Sequence, residues 1–197
     1  LDENLGRLVQ RLKDEGLYDN TVIIFASDHG SHFMTRNRDG HLNGYDDYKR
    51  SCHDGALHVP LVIAGGPFKG GAAVEELVST ASLPKTILAL AGVDVGDAMI
   101  GENLLDVVEK KDDNRRNEAF AQISESRVGR CLRTPDYLYA VYAPGVNGGE
   151  AAAADEYADD FLYDLGRDPH QLNNVVADPA YAQAKAELRT RLLDWIE

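Results

Sequence analysis

The chain has 197 residues, 44% of them hydrophobic, enough for one packed core or one and a half. Its formal net charge of −13 opposes binding to nucleic acid or to an anionic membrane surface, so neither is expected as a partner. No run approaches the roughly 20 apolar residues that span a bilayer, and an anionic ligand would need a local cluster of basic groups.

The chain opens at Leu1 with no signal-peptide pattern, and Cys52 and Cys131 lie outside any C-x-x-C spacing. Two free thiols and one bridge are both compatible with that arrangement, so compartment and oligomeric state stay open. Over Asp2 to Glu15, apolar Leu5, Leu8, Val9 and Leu12 predict an amphipathic helix stopped at Gly16. The run Thr21 to Ala26 is apolar on both faces and predicts a central strand of a sheet covered on both sides. A polar stretch follows from Ser31 to about Gly55, longer than loops without a function usually are. Next come a strand over His58 to Ala64, a short strand at Val74 to Val78, and a helix over Ser82 to Ala91. Ser82 is read as the N-cap of that helix and Gly92 as its stop.

The charged run Glu109 to Glu118 reads as a solvated connection. Beyond it, Ala119 to Ile123, Val128 to Arg133, Tyr137 to Tyr142 and Phe161 to Leu165 predict the strands of an antiparallel sheet. A Gly/Ala/Asp-rich loop over Gly145 to Asp160 interrupts them, and a helix over Pro179 to Ile196 closes the chain. The fold class is therefore α/β, with residues 1–108 as part of a layered core and 119–197 as a smaller α+β subdomain.

Asp28-His29-Gly30 follows the first strand, where open α/β sheets place ligands. A carboxylate and an imidazole there suit a divalent cation, although an exposed turn is the simpler reading of three residues. Lys49 and Arg50, with His32, Arg36, His41 and His53 in the same stretch, form a basic cluster unusual in so acidic a chain. Such cations would hold an anion and stabilise charge on its oxygens. There is neither a Walker A pattern nor a G-x-S-x-G elbow, which argues against nucleotide-loop and serine-hydrolase chemistry.

Several segments in register resemble the sulfatase family of the alkaline-phosphatase superfamily. They are Gly16-Leu17-Tyr18-Asp19-Asn20-Thr21, Ser27-Asp28-His29-Gly30, Lys49 eleven residues before Pro60, and His58-Val59-Pro60-Leu61-Val62-Ile63. Leu83-Pro84-Lys85-Thr86-Ile87-Leu88 with Ala91-Gly92-Val93, and Phe161-Leu162-Tyr163-Asp164-Leu165 with Asp168-Pro169, continue the likeness. His53-Asp54, His58 and Ser82 depart from the usual pattern. Tyr48 to Asp54 and Gln122 to Ser126 resemble a branch that includes sulfatases acting on polysaccharides.

The resemblance implies the C-terminal part of a sulfatase α/β sandwich followed by a small antiparallel-sheet subdomain with a closing helix. It implies Asp28 and His29 as ligands of Ca²⁺ and Lys49 as a contact to the sulfate. His53 would assist the leaving group, with Arg50, Arg36 and His32 binding the rest of a sulfated small molecule or glycan. No C-x-P-x-R or S-x-P-x-R signature occurs. The formylglycine nucleophile would thus lie in an N-terminal half outside these residues, and the chain alone is expected to be inactive. A phosphodiesterase or phosphonate monoester hydrolase of the same superfamily, or a non-catalytic binding module, is the alternative.

Overall fold

A computed structural model describes residues 1–31, 49–94, 96–125 and 127–196. The chain forms two compact units, one of residues 1–28 and 59–75, the other of residues 29–58 and 76–197.

In the first unit, helix α1 (Asp2–Asp14) has Asp2 and Glu3 in its first turn and Arg11 and Lys13 in its last, complementing the helix dipole. Gly16 adopts φ 70° and ends the helix. Its N–H donates to the Lys13 carbonyl and that of Leu17 to the Leu12 carbonyl, the paired bonds of a Schellman stop. No residue of α1 is buried. Strand β1 (Ile23–Ala26) pairs antiparallel with β2 (Leu61–Ala64), in register from Ile23 opposite Ala64 to Ala26 opposite Leu61. Among the described residues β1 has no second strand neighbour, and Ile23, Ile24 and Phe25 are only half-buried. The central, doubly covered strand expected from its composition is therefore not found within these residues. Strand β2 is also shorter than expected, because Pro60 has no N–H to give a ladder and offers only its carbonyl, which accepts from Ser27 N at 3.3 Å. A tight turn after β2 brings Gly65 so near Thr21 that any Cβ would lie 2.2 Å from the Thr21 carbonyl oxygen.

The second unit is built on a four-stranded antiparallel meander, in order β3 (Ala119–Ser124), β4 (Val128–Arg133), β5 (Tyr137–Tyr142), β6 (Ala158–Asp164). These match the predicted strands closely, except that β6 starts three residues before Phe161. Alternate residues go to opposite faces. Val128, Leu132, Tyr139, Val141 and Leu162 pack with Leu188 and Leu192 of helix α5 (Ala182–Asp194). Cys131, Leu138, Ala140, Phe161 and Tyr163 form the opposite core with Cys52, and Leu57 packs against it. The segment around Cys52 is thus the second cover of the sheet. Both cysteines are buried free thiols. The adjacent Cys52 thiol, together with burial, pushes the Cys131 thiol well above its ordinary range.

Three local expectations fail here for physical reasons. No strand forms at Val74–Val78: Leu77 N–H donates to Asn117 Oδ1 at 2.7 Å and its carbonyl accepts from the Arg115 guanidinium. Ser82 does not cap helix α3 (Ser82–Leu90), since Ala81 holds that position. The Ser82 hydroxyl accepts instead from Glu102 N at 3.0 Å, and Thr86 Oγ1 accepts from Leu104 N at the start of α4 (Leu104–Val108). The charged run is also more than a solvated link. Glu118 keeps only 1% of its side chain exposed and accepts from Arg191 and from the Trp195 indole N–H at 3.0 Å.

Candidate functional site

Within the second unit, the residues singled out by sequence are arranged on and around the short helix α2 (Asp54–Leu57). The approach starts at Gly30, whose N–H donates to the Ala56 carbonyl at 2.7 Å. A Cβ on Gly30 would lie 2.2 Å from the Gly55 carbonyl oxygen, so only glycine permits this seat. The glycine of Asp28-His29-Gly30 therefore anchors the motif directly on the helix that follows Lys49.

His29 is half-buried, with Nδ1 2.9 Å from the Gly30 carbonyl oxygen. A carbonyl only accepts, so in this contact Nδ1 is the donor. Metal-binding imidazoles are commonly held this way, the second nitrogen donating to a backbone carbonyl. Asp28, its chain neighbour, is exposed at the end of β1. Among the described residues, no group of three or more His, Cys, Asp or Glu is gathered as a metal-holding set. A carboxylate and an imidazole adjacent in sequence are residue types that a divalent cation takes.

Lys49 and Arg50 are each about one-third exposed, and both face the Glu125 carboxylate. Arg50 Nη2 donates to Glu125 Oε1 at 2.6 Å, and Lys49 Nζ lies 3.9 Å from Glu125 Oε2. The Arg50 hydrogen bond is the main reason the Glu125 carboxyl is held below the usual glutamate range, with Lys49 and His29 adding to it. In the sequence, Glu125 stands out only as part of the family-like stretch Gln122 to Ser126. The signal available was a lone carboxylate directly after a strand, in a segment set apart from the basic cluster by 75 positions.

His53 is 4% exposed, stacked on Phe161 at 4.3 Å between ring centroids. Its Nδ1 meets the Ser51 hydroxyl and its Nε2 lies 3.2 Å from the Tyr163 hydroxyl. Next to it, Asp54 binds Arg133 Nε at 3.2 Å through both carboxylate oxygens, and its N–H donates to Gln171 Oε1 at 3.1 Å. Cys52, His53 and Asp54 thus fix the segment to β4, β6 and the loop after it. His32, Arg36 and His41 lie outside the described residues. A separate cleft of about 440 Å³, in whose lining carboxylates such as Glu76, Glu102, Asp106 and Asp112 outnumber Lys110 and Arg115, contains none of these candidates. Its charge is wrong for an anionic ester.

Among solved structures, the chain matches one described as in complex with its substrate D-glucosamine-2-N,6-O-disulfate. The TM-score is 0.71 and the identity 24%, over 98% of this chain and 37% of that one. Likeness of this kind establishes the fold: α/β, the C-terminal part of a sulfatase sandwich followed by a small antiparallel sheet with a closing helix. Residues 1–93, just under half of the chain, match the family model described as Sulfatase. Arylsulfatase K of Danio rerio is 27% identical over 98% of this chain. An ulvan-active sulfatase of Formosa agariphila is 25% identical over 97%. The chain spans about a third of the length of these relatives, 35% of each.

Proposed function

We propose that the protein carrying this chain hydrolyses sulfate esters of carbohydrates, and that Lys49 is its principal sulfate contact in this part of the molecule. The carrying observation is that Lys49 and Arg50 present adjacent, partly exposed cations on a segment fixed at its far end to the sheet core, in a chain of net charge −13. A relative named for activity on ulvan and a structural neighbour holding a disulfated glucosamine support the carbohydrate class.

In this reading Lys49 binds a sulfate oxygen and neutralises charge that grows on it as the S–O ester bond lengthens. Arg50 adds field behind it. Asp28 and His29 would help hold a divalent cation, Ca²⁺ by family likeness, whose chemistry when bound is to polarise the sulfate oxygens. The nucleophile, a formylglycine hydrate, comes from outside these 197 residues, so the chain alone is inactive. His53 was the expected proton donor to the leaving group; its burial and its two hydroxyl neighbours favour a positioning role. The expected division into a core over 1–108 and a subdomain over 119–197 is retained as part of the proposal. It is supported by the family match ending at residue 93 and by β3 starting at Ala119.

The test is Lys49→Ala in the full-length protein, assayed on sulfated and phosphorylated sugars. Turnover of the sulfate ester is expected to fall by about 10²–10³, the usual loss for one preorganised charge partner. Unchanged kinetics would remove Lys49 from the site, and a preference for the phosphate ester would overturn the substrate class.

A further inference from the structure

Glu125 is where the sheet reaches the cationic pair. It follows β3 directly, and the last β3–β4 pair, Ser124 opposite Val128, fixes the point from which its side chain departs. One carboxylate oxygen takes Arg50 at 2.6 Å and the other lies 3.9 Å from Lys49. An exposed ion pair of this sort adds little to stability. Its consequence here is geometric. Two neighbouring cations on one short segment repel and would splay, whereas a carboxylate between them sets a common direction for both.

We propose that Glu125 is a positioning residue for anion recognition, aligning Arg50 and, through that pair, Lys49. The proposal rests on the sulfatase reading above for the identity of the anion, not for the existence of the coupling. It makes Glu125 act through Arg50, and not by touching the ester. A glutamate carboxyl is ionised through the neutral range in any case, and the Arg50 hydrogen bond lowers it further, so the alignment persists at working pH. The counter-ion comes from the sheet and not from the segment bearing the cations. The sheet thereby sets where the anion sits.

The experiment is a double-mutant cycle in the full-length protein: Glu125→Ala, Arg50→Ala and both together, with Glu125→Gln as the conservative variant. kcat and KM are measured on a sulfate and a phosphate monoester, with thermal midpoints alongside. Glu125→Ala is expected to lower kcat about tenfold, the scale of a small misplacement of a binding group, with the melting midpoint unmoved. The double variant should be no worse than Arg50→Ala alone. Glu125→Gln, which keeps an acceptor oxygen for Arg50, should recover most of the loss. Wild-type kinetics in Glu125→Ala, additive losses in the double variant, or a loss explained by a lowered melting midpoint would each overturn the proposal. Should only the phosphate ester be turned over, the cycle is read on that ester, and the substrate class fails while Glu125 is still judged. Should neither ester react, the cycle is read from the dissociation constant of inorganic sulfate by calorimetry. Absence of any sulfate binding would overturn the positioning role itself.

Discussion

The two units of this chain spend similar sequence material very differently. In the first, α1 has an apolar stripe and β1 a run of Ile, Ile and Phe, yet α1 buries nothing and β1 is at most half-covered. In the second, β4 and β5 are buried over most of their length because α5 covers one face and the segment around Cys52 covers the other. Apolar patterning states which face seeks cover. Whether these residues provide that cover is a separate matter, and only the second unit does so fully.

Mutations can break that contrast. The largest expected effect is Leu162→Ala, a fully buried residue of the face under α5. It should cost roughly 2–5 kcal/mol by denaturant titration, the range for deleting a core leucine. A loss below about half a kilocalorie, the scale of a surface change, would mean that the sheet core is not the stabilising element.

The next effect is electrostatic and pH-dependent. Asp159 is partly buried, which raises its carboxyl, but the Tyr139 hydroxyl, Lys185 and Arg189 outweigh burial and hold it below the ordinary aspartate range. A depressed carboxyl contributes stability that is complete above its unfolded value and is lost as pH falls through the folded one. Asp159→Asn should therefore cost roughly 1–3 kcal/mol at neutral pH, as for a hydrogen bond to a charged group, and nothing once the wild-type carboxyl is protonated. Melting curves of both proteins from pH 7 down to about 2.5 should converge at the acid end. A constant gap would assign the effect to packing.

The smallest effect belongs to the first unit. Leu8→Ala on α1, at a position 53% exposed, should change the stability of the 197-residue chain by no more than about 0.5 kcal/mol. A larger loss would show that α1 is covered after all, and would erase the contrast between the units.

Sequence reading worked where one local force decides the outcome. The meander was legible because strand alternation and turn residues agree, and the ends of α1 and α3 because Gly16 and Gly92 both adopt positive φ after their helices. It failed where a partner distant in sequence competes. The backbone of Leu77 is claimed by Asn117 and Arg115, Ser82 turns to Glu102, and Glu118 is taken into the closing helix. The site divides the same way. Lys49 and Arg50 were visible as cations, but Glu125 was not visible as their counter-ion. His53 read as a candidate proton donor to the leaving group because nothing in the neighbouring residues announces Phe161 and Tyr163.

The seat of Gly30 on α2 has a consequence for how such a protein could diversify. A hydrogen is all that fits between Gly30 and the Gly55 carbonyl, so this joint behaves as a keyed socket that admits no padding. Variation at Gly30 is therefore closed to every side chain, which keeps His29 in fixed register with α2.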